Sequence, residues 1–228
     1  MARHHIMANQ TMKLPNLLLL VILPLLLATT VSSDLDPLQD LCVADLASGV
    51  KVNGFSCKEA SKVNASDFFS SILAKAGATN STFGSLVTGA NVEKVPGLNT
   101  LGVSLSRIDY APGGINPPHI HPRATEIVFV LEGQLDVGFI TTSNVLISKT
   151  INKGDIFVFP KALLHFQKNN AKDPAAVISA FNSQLPGTQS IATTLFASTP
   201  SLPDHVLTQT FQVGTKEVHK IKSKFAPK

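Results

Sequence analysis

The sequence predicts an all-β fold, an antiparallel sandwich or barrel, with short α-helices appended at its C-terminal end. Three observations carry that reading. Runs rich in β-branched and aromatic residues recur through residues 101–182: LGVSLSRIDY, HIHPRATEIVFVLEG, QLDVGFI, NVLISKTI, GDIFVFP, LLHFQKN and AAVISAF. Gly, Pro and Asn stand between them, at the spacing of strands joined by turns. From residue 183 the pattern turns helical, in IATTLFAS, PDHVLTQTF and TKEVHKIKSKF, with Pro200, Pro203 and Gly214 as punctuation.

The chain begins with a leader. Hydrophobic residues make up 44% of the 228 and charged ones only 15%, and much of that apolarity sits in residues 17–28, LLLLVILPLLLA. Arg3 and Lys13 precede this run and Val31-Ser32-Ser33 follows it. A basic start, a short apolar run and small residues at the end make a secretory signal peptide, residues 1–33, cleaved near Ser33. Twelve residues are too few for a membrane span, which needs about 20. Residues 34–228 then form a single domain, long enough for one good core. Without Arg3 and Lys13, 17 of the 19 basic residues remain against 15 acidic ones, near +2. That balance is no nucleic-acid footprint, and the basic C-terminal stretch from Lys216 to Lys228 reads as a solvated helix face.

Cys42 and Cys57 follow early in the secreted part. In an oxidising compartment such a pair reads as one disulfide, worth roughly 3 kcal/mol in the chain-entropy model. Two free thiols or half of a metal site are the alternatives. Asn64-Ala65-Ser66 and Asn80-Ser81-Thr82 are N-glycosylation acceptors once the chain is secreted, whereas Asn9 leaves with the leader. Residues 67–77, DFFSSILAKAG, predict a short helix capped by Asp67 and ended by Gly77. Residues 78–100 predict loops with one short strand, and the barrel core spans about 85–182. Within it EIVFVL and DIFVFP are apolar on both faces, as in a double-layered sheet or a subunit contact. The helices of 185–228 are too short to bury much alone and are expected to dock on the barrel or on a neighbouring subunit.

The chemistry lies in GGINPPHIHPRATE, residues 113–126. His119 and His121 are two apart, which on a strand puts both imidazoles on one face, about 7 Å along the chain. Glu126 is at an odd offset, but Pro122 breaks the strand, so the chain can turn and bring the carboxylate back inward. His165, across a turn from GDIFVFP, is the fourth candidate. Three imidazoles and a carboxylate suit a borderline metal such as Mn, Fe, Ni, Cu or Zn, and the lack of thiolates argues against structural zinc or an iron–sulfur cluster. Four protein ligands on an octahedral ion leave two positions open for reaction. His4 and His5 leave with the leader, and His205 and His219 lie in polar helical stretches without a partner pattern.

At these residues the chain resembles the plant germin-like proteins of the cupin superfamily. The first cupin motif, G-x5-HxH-x4-E-x6-G, is met by Gly113, His119, His121, Glu126 and Gly133. The second, G-x5-P-x-G-x2-H-x3-N, is met by Gly154, Pro160, His165 and Asn169. Ala162 stands where that pattern has glycine, which predicts an ordinary turn and an intact site. The resemblance implies a double-stranded β-barrel (jelly roll) and one manganese ion per subunit, held by His119, His121, Glu126 and His165. It further implies a homo-hexamer built as a trimer of dimers and secretion to the apoplast or cell wall. Family activities include superoxide dismutation and oxalate oxidation, and some members have no known activity. In the oxidases two asparagines near the metal hold the substrate. One corresponds to Asn116, the candidate catalytic residue beside the metal; the other falls at Ser106, whose hydroxyl is too short to replace a carboxamide. The expectation is therefore superoxide dismutation, with a peroxide-based defence role implied by the family. Oxalate oxidation, or a non-catalytic wall, receptor or storage role, are the alternatives.

Overall fold

The computed structural model describes residues 39–51 and 54–225, all belonging to the unit Ser33–Lys228. The leader expected at 1–33 lies outside the described residues. Ten strands follow in chain order: β1 Ser85–Ala90, β2 Ser104–Tyr110, β3 Ile115–Ile120, β4 Glu126–Glu132, β5 Gln134–Ile140, β6 Leu146–Asn152, β7 Ile156–Phe159, β8 Leu164–Lys168, β9 Ala175–Phe181 and β10 Gln189–Ser190. They form two five-stranded antiparallel sheets, ordered β1-β2-β9-β4-β7 and β10-β3-β8-β5-β6. This is the expected jelly roll.

Strand alternation builds the core between the sheets. In β5, Leu135 and Val137 are fully buried while Gln134 and Asp136 are not. Ile108, Tyr110, Val128, Val130, Ile151, Phe159 and Val177 complete one apolar cluster. The β4–β5 turn needs glycine: Gly133 has φ +76°, and a Cβ there would lie 2.6 Å from the Pro174 carbonyl oxygen.

The expected helix over 67–77 is absent. One turn of 3-10 helix runs Ala65–Phe68, capped by Asn64, whose side chain accepts from the Ser66 amide at 2.9 Å. Asp67 is not the cap; its carboxylate accepts from the Asn64 amide at 2.9 Å and pairs with Lys58. Beyond Phe68 the chain is irregular. Phe68, Ile72 and Leu73 line a cavity of about 570 Å³ together with Val95, Leu98, Leu105 and Phe181, rather than forming a helical stripe. Cys42 and Cys57 are joined in a disulfide. The Asn99 amide ties this loop to the barrel, donating to the Phe55 carbonyl at 2.9 Å and accepting from Gln184 at 3.2 Å.

Three α-helices close the chain: α1 Ile191–Phe196, α2 Asp204–Phe211 and α3 Thr215–Phe225. Leu207 of α2 and Val218 of α3 are buried, and α1 packs beside β3 and β10. His219 does have a partner: its Nε2 lies 2.6 Å from the Asp204 carboxylate, which also pairs with Lys222 at 2.7 Å. The sequence hides this pair because its members lie 15 residues apart on different helices. Among the described residues no helix is long and apolar enough to cross a membrane.

Candidate metal centre

Three strands deliver the expected ligands. Pro117 and Pro118 sit in β3, where the register with β8 shifts between Asn116 and His119. His119 lies near the end of β3 and His121 just past it. The turn at Pro122 and Arg123 reverses the chain, and Glu126 opens β4 in the opposite sheet. His165 of β8 stands directly across from His119. All four side chains are buried, and one potential ligand atom from each lies within 4.8 Å of all the others. Phe159 stacks on the His165 ring at 4.5 Å and Phe181 meets the edge of His121 at 4.8 Å, giving the centre an apolar wall.

The hydrogen bonds dictate what fills the gap. Nδ1 of His119 donates to the Pro117 carbonyl at 2.7 Å, Nδ1 of His121 to Gly187 at 2.5 Å, and Nδ1 of His165 to Leu163 at 2.8 Å. A carbonyl can only accept, so each ring carries a proton on Nδ1, and in the neutral, metal-ligating form each Nε2 presents a lone pair inward. Glu126 Oε2 lies 3.0 Å from Nε2 of His121 and 3.1 Å from Nε2 of His165. Lone pairs facing one another at that range demand a shared positive charge. Ligand atoms roughly 2.1 Å from one cation, at right angles, stand about 3 Å apart. The donor set and its spacing therefore fit a divalent transition metal. The ionisation of the groups agrees. Burial and the neighbouring His165 push His119 down to about 4, keeping it a neutral ligand.

Asn116 stands half-buried on β3, opposite Gln167 of β8. Ser106 of β2 is buried, and its hydroxyl meets no hydrogen-bond partner. With His121, Leu105, Phe181, Gly187 and Thr188 it lines a cavity of about 240 Å³ beside the ligands. Ala162 departs from the expectation: its φ is +60°, the left-handed conformation that the motif's glycine would adopt freely. The turn is thus the special one, imposed on an L-residue, and His165 still reaches the cluster. Two further buried residues touch the site, Ser179 and Gln167, both bonded to Glu126. The sequence reading singled out neither; Gln167 carries a signal that could have found it, two residues from His165 on the same strand face, whereas Ser179 lies on β9 with no local signal. Exposed Asn64 and Asn80 lie away from these ligands in sequence, before β1.

The cupin family model matches residues 71–219. The rhicadhesin receptor of Pisum sativum is 74% identical over 85% of this chain and 89% of its own length. Germin-like protein 5-1 of Oryza sativa subsp. japonica is 70% identical over 92% of this chain and 93% of its own. Among solved structures, an oxalate oxidase superposes with a TM-score of 0.82 at 50% identity, over 85% of this chain and 98% of that one. By sequence and by fold alike, the chain belongs to the plant germin-like proteins of the cupin family.

Proposed function

We propose that this chain is a secreted, manganese-binding protein of the plant apoplast that dismutates superoxide to hydrogen peroxide and dioxygen. The observation that carries the reading is the inward-facing set of three unprotonated Nε2 atoms and one carboxylate oxygen, sealed among buried residues. His119, His121, Glu126 and His165 would hold one ion. When bound, manganese supplies two accessible oxidation states and two unfilled positions. The carbonyls of Pro117, Leu163 and Gly187 orient the imidazoles, and Phe159 and Phe181 keep bulk water off them. The adjoining cavity of about 240 Å³ suits a small substrate, and superoxide needs no carboxamide at the Ser106 position.

The test is a superoxide zymogram of the purified, manganese-loaded protein, with His119→Ala alongside. A clearing band lost in the variant is expected; no band, or a band that survives His119→Ala, overturns the reading. Oxalate oxidation is the second reading, supported by the 50% identity to a solved oxalate oxidase and by Asn116. It predicts oxalate-dependent peroxide, which the Ser106 hydroxyl disfavours and Ser106→Asn would raise. A receptor role, suggested by the 74% identical rhicadhesin receptor, predicts metal-dependent stability without turnover.

The leader read in the sequence supports secretion, and exposed Asn64 and Asn80 would then carry glycans. The homo-oligomer, a hexamer of three dimers, is supported by the apolar outer face of β4 and β7, where Ile127, Phe129, Ile156 and Val158 are 43–63% exposed.

A further inference from the structure

We infer that Ser179, with Gln167 beside it, is a positioning residue that restricts Glu126 to ligation through one oxygen. The inference rests on the metal reading above. The two oxygens of Glu126 have different surroundings. Oε2 faces Nε2 of His121 and His165 at 3.0 and 3.1 Å. Oε1 faces the other way, accepting from the Ser179 hydroxyl at 2.6 Å and from the Gln167 amide at 3.3 Å. The Ser179 distance is that of a charge-assisted bond, the stronger class. Gln167 is oriented in turn, because its Oε1 accepts from the Tyr110 hydroxyl at 3.4 Å, which turns its NH2 toward Glu126. Glu126, Gln167, Ser179 and Tyr110 are all at most 1% exposed, so water cannot substitute for any of these donors.

The arrangement spans both sheets: Glu126, Ser179 and Tyr110 come from β4, β9 and β2, and Gln167 from β8. Two-oxygen ligation would need Oε1 to turn toward the ion and abandon both donors, leaving a buried hydroxyl and a buried amide unpaired. The donors therefore keep the protein ligand count at four. On a six-coordinate ion that count decides whether two positions or one remain for water and substrate.

The test loads wild type, Ser179→Ala, Ser179→Thr and Gln167→Leu with Mn(II). It counts metal-bound water by pulsed hyperfine spectroscopy and records the zero-field splitting by EPR. Ser179→Ala should lower the water count from two to one and alter the splitting, and Ser179→Thr, which keeps the hydroxyl, should restore the wild-type spectrum. Gln167→Leu should move the spectrum in the same direction by less, and it carries the test if Ser179→Ala does not fold. An unchanged water count and spectrum in both Ser179→Ala and Gln167→Leu overturns the inference. Wild type that binds Mn(II) without dismutating superoxide, yet responds spectroscopically to Ser179→Ala, overturns the function above and leaves this inference standing. Wild type that takes up no metal overturns both.

Discussion

The two sheets share one interior but differ in what they show to the outside. The sheet β1-β2-β9-β4-β7 turns Ile127, Phe129, Ile156 and Val158 outward, each at least 43% exposed. The other sheet turns mainly polar groups outward along β5 and β6, apart from Leu146 at the strand end, 54% exposed: Gln134 donates to Asn152 at 3.1 Å, and Thr150 and Asn170 both donate to the Asp136 carboxylate. Inward, both follow the same alternation, because both must cover the same core. The inner pattern thus reports the fold, and the outer pattern reports what each sheet meets next. A half-exposed apolar face across paired strands is a surface awaiting cover, whereas a hydrogen-bonded polar face is finished in water.

Mn(II) at a hundred times its dissociation constant should stabilise the chain by about 2.7 kcal/mol, or roughly 5–11 °C in melting temperature for a domain of this size. Calorimetry with and without the metal reads this directly, and His165→Ala should abolish the shift. A wild type with no shift would make the interior polar cluster a mere packing feature. Next comes the outer contrast. Phe129 and Ile156 are register partners on the apolar face, and replacing both with Lys should dissociate the assembly in sedimentation velocity. Ser148→Lys on the polar face should leave it intact. Each surface change should cost about 0.5 kcal/mol or less in the folded subunit, so lost assembly would not mean lost fold. If wild type is already monomeric, the contrast between the faces loses its meaning. The smallest effect is local to the turn before β8. Ala162→Gly should raise the denaturation midpoint by the equivalent of about 0.5–1 kcal/mol, since relieving a left-handed L-residue outweighs the extra freedom glycine has when unfolded. Metal affinity should not change.

Much of this was legible in the sequence, for identifiable reasons. AAVISAF is β9 from end to end and TKEVHKIKSKF is α3, because apolar periodicity and flanking turn residues agree there. The ligand quartet was legible because HxH spacing and a proline break encode their own geometry. The segment 67–77 misled because Phe68, Phe69, Ile72 and Leu73 sit at helix-like intervals, yet in the fold Phe68, Ile72 and Leu73 line a cavity rather than one helical face. Ala162 misled in another way: residue type set the expectation, while the chain reversal set the dihedral. Ser179 could not be read at all, since its partner Glu126 lies 53 residues away on a neighbouring strand.

One feature of the centre reaches beyond its chemistry. His119, His121 and His165 hang from one sheet and Glu126 from the other, so a cation held by all four is a rivet through both layers. Withdrawing it requires ligands from both layers to let go. A chelator stirred into the native protein should therefore strip the ion at the pace of the barrel's own breathing, independent of chelator concentration once that is high. The rate of metal loss becomes a clock for how often the sandwich opens.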